Sequence, residues 1–276
     1  MNPSVSQDTQ APTKEPKAPA VPAGANGAKK YGLLSRLRSY LFIDPLVFIY
    51  TFAFGLASLP FGFFEGSGHL LHRFARAWSR CILGSIFSPI TVTGMEKIDV
   101  SKPAVYAANH GSAIDIPILY AHLPFQFRII HKRELLSYPI VGWHLKRSGQ
   151  ICVDQSDPAT SVRSVRAALK SLREGIPLVI FPEGARTPDG EIKPFMHGAF
   201  FFAIRAQVDI VPIALVGTFD LLPMDTYHIK CRPIEMRVGD PIPTAGLTIR
   251  DMESLSARVQ EAIEALNEGR KPARST

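Results

Sequence analysis

From residue 89 onward the chain alternates short apolar, β-branched runs with amphipathic stretches, and no other feature restricts its fold so tightly. The runs are "ITVTG", "AVYAA", "QFRII", "QICV", "PLVIF", "IVPIALVG" and "IEMRVG". Each has the length of one strand. Among the stretches between them, "PATSVRSVRAALKSLREG" reads as a helix. Asp157 caps it, Pro158 fits its first position, Gly175 ends it, and Val162, Val165, Leu169 and Leu172 mark one apolar stripe. Arg163, Arg166, Lys170 and Arg173 take its other face, the usual make-up of a solvated surface. A last helix, "TIRDMESLSARVQEAIEALNEG", leaves a basic tail. This alternation predicts an α/β fold: a mixed, largely parallel sheet with helices on both faces.

Upstream, residues 45–64, "PLVFIYTFAFGLASLPFGFF", carry no charge and suffice to cross a ~30 Å hydrocarbon core as a helix. Pro45, Gly55, Pro60 and Gly62 interrupt them. Lys29, Lys30, Arg36 and Arg38 lie before and Arg73, Arg76 and Arg80 after, so the charge asymmetry that orients a single span is nearly absent. Symmetric flanks favour an N-terminal membrane-interacting helical hairpin that dips into one leaflet, with its arginines and Trp78 among the head groups. A buried core helix fits less well, because the phenylalanines share no single face. Residues 1–30 are rich in proline, alanine and polar residues, and read as a disordered tail without the apolar core of a signal peptide. The chain thus divides into a tail (1–30), membrane-associated helices (31–85), an α/β domain (86–245) and a C-terminal helix with its basic tail (246–276).

Lysine and arginine number 31 against 24 acidic residues, a net charge of +7 that favours anionic partners such as phospholipid head groups or phosphorylated metabolites. Nucleic acid is not among them: aromatics are not interleaved with the basic residues and no reader motif is present. Cys81, Cys152 and Cys231 are far apart and odd in number, which argues against a disulfide framework and fits a reducing compartment. His69 and His72 lack nearby co-ligands, so they read as surface or interfacial residues and no metal site is expected.

Two strand ends carry chemistry. After "AVYAA" comes "NHGSAID". On a continuous helix His110 and Asp115 would point about 140° apart, so they meet only if the backbone bends between them. Ser112 offers that bend as an N-cap with Asp115 three residues on; alternatively Asp115 is itself the cap, with Pro117 tolerated in the first turn. A carboxylate on one ring nitrogen orients a histidine and makes the other nitrogen a better base. The bland reading is a buried histidine beside a capping aspartate. After "PLVIF" comes "PEGAR", at the kind of strand end where open α/β sheets bind ligands. Arg186 supplies a planar fork suited to phosphate, Gly184 permits close backbone approach, and Glu183 is placed to accept from a substrate hydroxyl or to brace the arginine.

Together these motifs resemble those of the glycerolipid acyltransferase family, and closely its 1-acyl-glycerol-3-phosphate acyltransferases. The resemblance spans roughly residues 85–245. N-H-x-S-x-x-D is complete as Asn109, His110, Ser112 and Asp115; the second motif appears in "KRELLSYPIVGW" with Lys132, Glu134, Leu135, Pro139 and Gly142; the third is "FPEGAR"; the fourth is Val211 to Ile213. Three departures stand out: Ala185 for the usual small hydroxyl residue, Gln155 where an arginine is common, and no lysine before Gly198.

The resemblance implies that His110 is the general base on the sn-2 hydroxyl of lysophosphatidic acid, with Asp115 holding its imidazole. The acyl group comes from acyl-CoA or acyl-carrier protein, and no metal or other cofactor takes part. It further implies that Arg186 and Lys132 clamp the acceptor phosphate while Glu183 and Gly184 shape that pocket. Ser112 belongs to the turn, and Asn109 or backbone amides serve the oxyanion. Residues between "KREL" and "VDQ" are candidates for an acyl-channel lining, with Trp143 as a wall. A phospholipid membrane is the expected partner, with the site at the cytoplasmic face of the inner membrane. The alternatives are another lysolipid or glycerol-3-phosphate as acceptor, or a non-catalytic lipid-binding protein.

Overall fold

The structure, a computed structural model, describes residues 32–64, 66–154 and 158–268. The expected tail over residues 1–30, the cap at Asp157, the departure at Gln155 and the basic tail after 268 lie outside the described residues.

Among the described residues seven strands form one sheet: β1 (Ile90–Thr93), β2 (Val105–Ala108), β3 (Arg128–Lys132), β4 (Ile151–Val153), β5 (Leu178–Ile180), β6 (Ile210–Val216) and β7 (Ile234–Val238). Each overlaps one of the apolar runs. The order is β1-β7-β6-β2-β5-β3-β4, parallel throughout except between β6 and β7. The carboxyl ends of β6, β2, β5 and β3 therefore share one edge.

Ten helices accompany the strands among the described residues: α1 (Leu33–Arg38), α2 (Asp44–Ser58), α3 (Phe61–Phe64), α4 (His69–Ser85), α5 (Asp115–His122), α6 (Pro139–Arg147), α7 (Pro158–Arg173), α8 (Phe201–Ala206), α9 (Thr218–Leu221) and α10 (Met252–Glu268). Strands β2, β5 and β6 are buried along their whole length, since helices cover both sheet faces. Their side chains alternate between two cores. Tyr106, Val179, Ile213 and Leu215 join residues of α4 and α5, whereas Val105, Ala107, Leu178 and Ala214 join residues of α7, α8 and α10.

The buried face of α7 is rotated from the expected stripe. Val162 is 52% exposed, while Ala168 and Leu172 are 0% and 3% exposed and Ser164 and Ser171 are buried beside them. Small residues let the helix sit close, and both serine hydroxyls are satisfied by carbonyls, of Ser161 and Ile176.

The uncharged segment lies in one helical rod, Leu33–Phe64, long and apolar enough to cross a membrane, with a π turn over Ser39–Ile43. Two of its interruptions are absorbed, Pro45 in the first turn of α2 and Gly55 by giving Ile140 of α6 room to cross closely, whereas Leu59 and Pro60 form the turn that separates α2 from α3. The rod turns after Phe64 and returns as α4, which packs on α5 and α2. Phe48, Phe52, Phe63 and Phe64 remain 67%, 58%, 65% and 88% exposed along it.

The return arm corrects three expectations. Arg76 does not face head groups: its guanidinium donates to the carbonyls of Tyr120, Leu123 and Phe125 at the end of α5, where the helix dipole favours a cation. Trp78 turns inward and donates to Thr51 Oγ1 at 3.1 Å. His72 is no surface residue. It is 2% exposed against Tyr120 and Phe127, and burial, aided by Arg76, lowers its pKa to about 3, so the ring is neutral.

Two variants separate the halves of this design. Ile213→Ala should cost about 2–5 kcal/mol of unfolding free energy by denaturant titration. Phe48→Ser with Phe52→Ser should leave that stability intact and weaken partition onto phospholipid vesicles about tenfold or more.

Candidate active site

Beyond the last residue of β2, Asn109 extends the sheet with its side chain. Its Oδ1 accepts the Leu215 N–H at 2.7 Å, and its Nδ2 donates to the Leu215 carbonyl at 3.1 Å. The carboxamide imitates a backbone peptide and fixes where the next residue leaves the sheet.

That residue, His110, is held from both sides by the loop after β5. Its N–H donates to Glu183 Oε1 at 2.6 Å, and its carbonyl accepts the Thr187 N–H at 2.9 Å. Its ring stacks on Phe181 with centroids 4.0 Å apart at 18°. Nδ1 lies 2.8 Å from Asp115 Oδ2. The carboxylate can only accept, so the shared proton belongs to Nδ1 and Nε2 presents its lone pair. Nε2 has no hydrogen-bond partner among the described residues, and the side chain is 16% exposed.

The backbone bends between the two residues as expected, but the residue that caps α5 is Ile114, without a side-chain cap bond, and neither Ser112 nor Asp115 takes that place. Asp115 opens α5, is fully buried, and accepts the Ser112 N–H at 2.8 Å through the Oδ2 that binds the imidazole. Ser112 Oγ accepts from the Ile114 N–H and donates to the Leu222 carbonyl at 2.9 Å. Its hydroxyl proton is thereby committed to the turn.

Glu183 is engaged by backbone on both oxygens. Oε2 accepts the Lys193 N–H at 2.9 Å, so the carboxylate links His110 to the following strap and, among the described residues, does not bond Arg186. Burial pushes its pKa up, against the opposing effect of those two amides. Gly184 has φ +73°, and a Cβ there would lie 2.6 Å from Met196 Cε, so the loop needs glycine. Arg186 is half-buried with no hydrogen bond or ion pair among the described residues, leaving its donor fork available. Lys132 is exposed at the carboxyl end of β3, two strands from β2 and so about 10 Å across the sheet. His110, Ser112, Asp115 and Glu183 form one bonded network, entered from Asn109, which is clamped to Leu215 instead; Arg186 and Lys132 stand on the same edge outside it.

Several contributors were not singled out from the sequence. Phe181 was legible only as an apolar strand end. Thr187 and Leu222 act through main-chain atoms, which no residue type reveals. Thr218 is 1% exposed, and a Cβ added at Gly111 would lie 3.3 Å from its Oγ1. An apolar cavity of about 140 Å³ opens between α2, α4, α5 and α6, lined among others by Phe54, Ile116, Tyr120, Ile140 and His144. Trp143 is not part of its lining; it packs on Phe63, 6.0 Å between centroids.

The family model described as Acyltransferase matches residues 89–216. A 1-acyl-sn-glycerol-3-phosphate acyltransferase of Limnanthes douglasii is 30% identical over 190 residues, 68% of this chain and 67% of that one. The chain belongs to the acyltransferase family. An acyltransferase of the same name from Chlamydomonas reinhardtii is 34% identical over 161 residues, 58% of this chain, and the chain spans about half (48%) of its length. The crystal structure of the 1-acyl-sn-glycerophosphate (LPA) acyltransferase from Thermotoga maritima shares the fold, with a TM-score of 0.71 over 88% of this chain and 98% of that one at 24% identity. The acyltransferase match runs from the start of the sheet to the end of β6 and so contains the whole Asn109–Leu215 clasp.

Asn109→Ala should cost about 1–3 kcal/mol, because it orphans the N–H and the carbonyl of Leu215. Glu183 adds a pH signature. Its folded-state pKa is raised, so its contribution is full below the ordinary glutamate pKa and fades as pH climbs through the folded value. The stability difference between wild type and Glu183→Gln should therefore narrow as pH rises from about 4 in chemical denaturation.

Proposed function

We propose that this chain transfers a fatty acyl group from the thioester of acyl-CoA or acyl-carrier protein to the sn-2 hydroxyl of lysophosphatidic acid, yielding phosphatidic acid for phospholipid biosynthesis. The observation that carries this reading is the His110–Asp115 pair, bonded at 2.8 Å with the second ring nitrogen unpartnered. The names of the curated relatives supply the acceptor.

In this mechanism Nε2 of His110 takes the hydroxyl proton as the oxygen attacks the thioester carbon, and Asp115 stabilises the imidazolium. The tetrahedral intermediate collapses by breaking the C–S bond, and the imidazolium returns its proton to the leaving thiolate. No acyl-enzyme forms: Ser112 is buried and its proton lies on Leu222. With Asn109 occupied by Leu215, backbone amides of the turn after His110 are the oxyanion donors. Arg186 and Lys132 bind the acceptor phosphate, and Glu183 and Gly184 shape the pocket by fixing the loop that carries Arg186. The reaction needs no metal and no cofactor beyond the thioester co-substrate.

The exposed aromatics of the rod support seating on a phospholipid membrane, and the soluble donors put the site on the cytoplasmic face of the inner membrane. The apolar cavity beside α5 supports a place for an acyl chain there, with α6 contributing the residues expected between "KREL" and "VDQ".

The test is transfer from radiolabelled acyl-CoA to 1-acyl-glycerol-3-phosphate in membranes. His110→Ala should lower kcat about 10²–10⁴-fold. Arg186→Ala should act chiefly on the KM for the phosphate-bearing acceptor. Full activity in His110→Ala would overturn the mechanism, and a wild type that prefers another lysolipid would move the acceptor assignment to the "FPEGAR" loop.

A further inference from the structure

The two faces of the sheet are covered by helices of different character. One carries α4 and α5, with the exposed aromatic rod packed on α4. The other carries α7, α8 and α10. The two long helices of this second face differ in charge. Helix α10 holds Glu253, Glu261, Glu264 and Glu268 against Arg258 alone, and is net acidic. Helix α7 contains no acidic residue and exposes Arg163, Arg166, Lys170 and Arg173. The chain's surplus of positive charge is therefore not spread evenly over this face.

At ~100° per residue these four cations fall within about 80° of arc, over about 15 Å of helix. Val162, which the sheet leaves 52% exposed, falls beside Arg166 and Arg173 at the rim of the same arc. The face carries one sign of charge along its length, the kind of patch that steers an oppositely charged partner. Lys170 has Glu174 at 3.6 Å and Arg163 donates to Thr160 Oγ1, whereas Arg166 and Arg173 have no ion-pair partner among the described residues. Helix α7 follows β4, which runs parallel to β3, so it begins at the same carboxyl edge that presents His110.

We infer that this face of α7 docks an acidic acyl-carrier protein, which delivers its thioester from the side of the sheet opposite the rod. The inference rests on the acyl-transfer reading and narrows its donor. Complementary charge would steer the encounter and make it sensitive to salt. Acceptor and donor would then approach from opposite faces and meet at the carboxyl edge.

The experiment compares full-length wild type with Arg166→Glu/Arg173→Glu and with Arg166→Gln/Arg173→Gln. It measures kcat and KM for acyl-carrier protein and for acyl-CoA bearing the same acyl chain, at low and high ionic strength. Binding of acyl-carrier protein is followed in parallel by fluorescence anisotropy, and vesicle binding by sedimentation. The expected result is about a tenfold or larger rise in KM and Kd for acyl-carrier protein in the glutamate variant. The glutamine variant should show a smaller rise, with acyl-CoA kinetics and vesicle binding unchanged. Equal losses with both donors, an unchanged Kd for acyl-carrier protein, or lost vesicle binding in its place would overturn the inference. Carrier binding that depends on these arginines without transfer to lysophosphatidic acid would refute the acceptor reading and leave the docking intact.

Discussion

The clasp between Asn109 and Leu215 is the interaction on which the candidate site depends. Parallel strands end in loops, and a loop has no ladder to hold it. By spending a side chain on both polar groups of a β6 residue, the chain carries sheet order one position past β2. His110 then starts from a defined point, and two main-chain bonds to the loop after β5 fix its own peptide. Only with the backbone secured does a 2.8 Å contact between imidazole and carboxylate define an orientation as well as a proximity.

The same edge gathers groups from strands that are distant in sequence. Ser112 ties the turn to Leu222 after β6, and Glu183 ties it to Lys193 beyond the next loop. Burial and bonding divide the labour among polar residues of similar type. Glu183, with both oxygens taken by amides, is a brace; Arg186, with none of its donors engaged among the described residues, is free to meet an anion. The acyltransferase family is recognised by residue types, but it is this division that gives each type its work.

Much of the architecture was legible beforehand, for physical reasons. All seven strands announced themselves, because a parallel sheet covered on both faces must be apolar at consecutive positions. The bend at Ser112 followed from the incompatibility of His110 and Asp115 with one helix face. The α7 stripe was misread because a helix that lies close to a sheet uses alanine and serine where pattern reading looks for valine. Arg76 and Trp78 were assigned to head groups from their position beside an apolar segment. Their actual partners, the terminal carbonyls of α5 and the hydroxyl of Thr51, are tertiary contacts that no local pattern encodes. Glu183 was read by its chemistry, yet its neighbours are peptide groups, which are present everywhere and therefore signal nothing.

Arg76 gives α5 a mechanical meaning. The helix is eight residues, about 12 Å, long; its far end is bolted to the return arm of the hairpin, and its near end begins with Asp115. A strut so short and so firmly held at both ends transmits angle as well as position. The return arm that carries Arg76 and the imidazole held by Asp115 are consequently joined through one rigid element, about two helical turns apart.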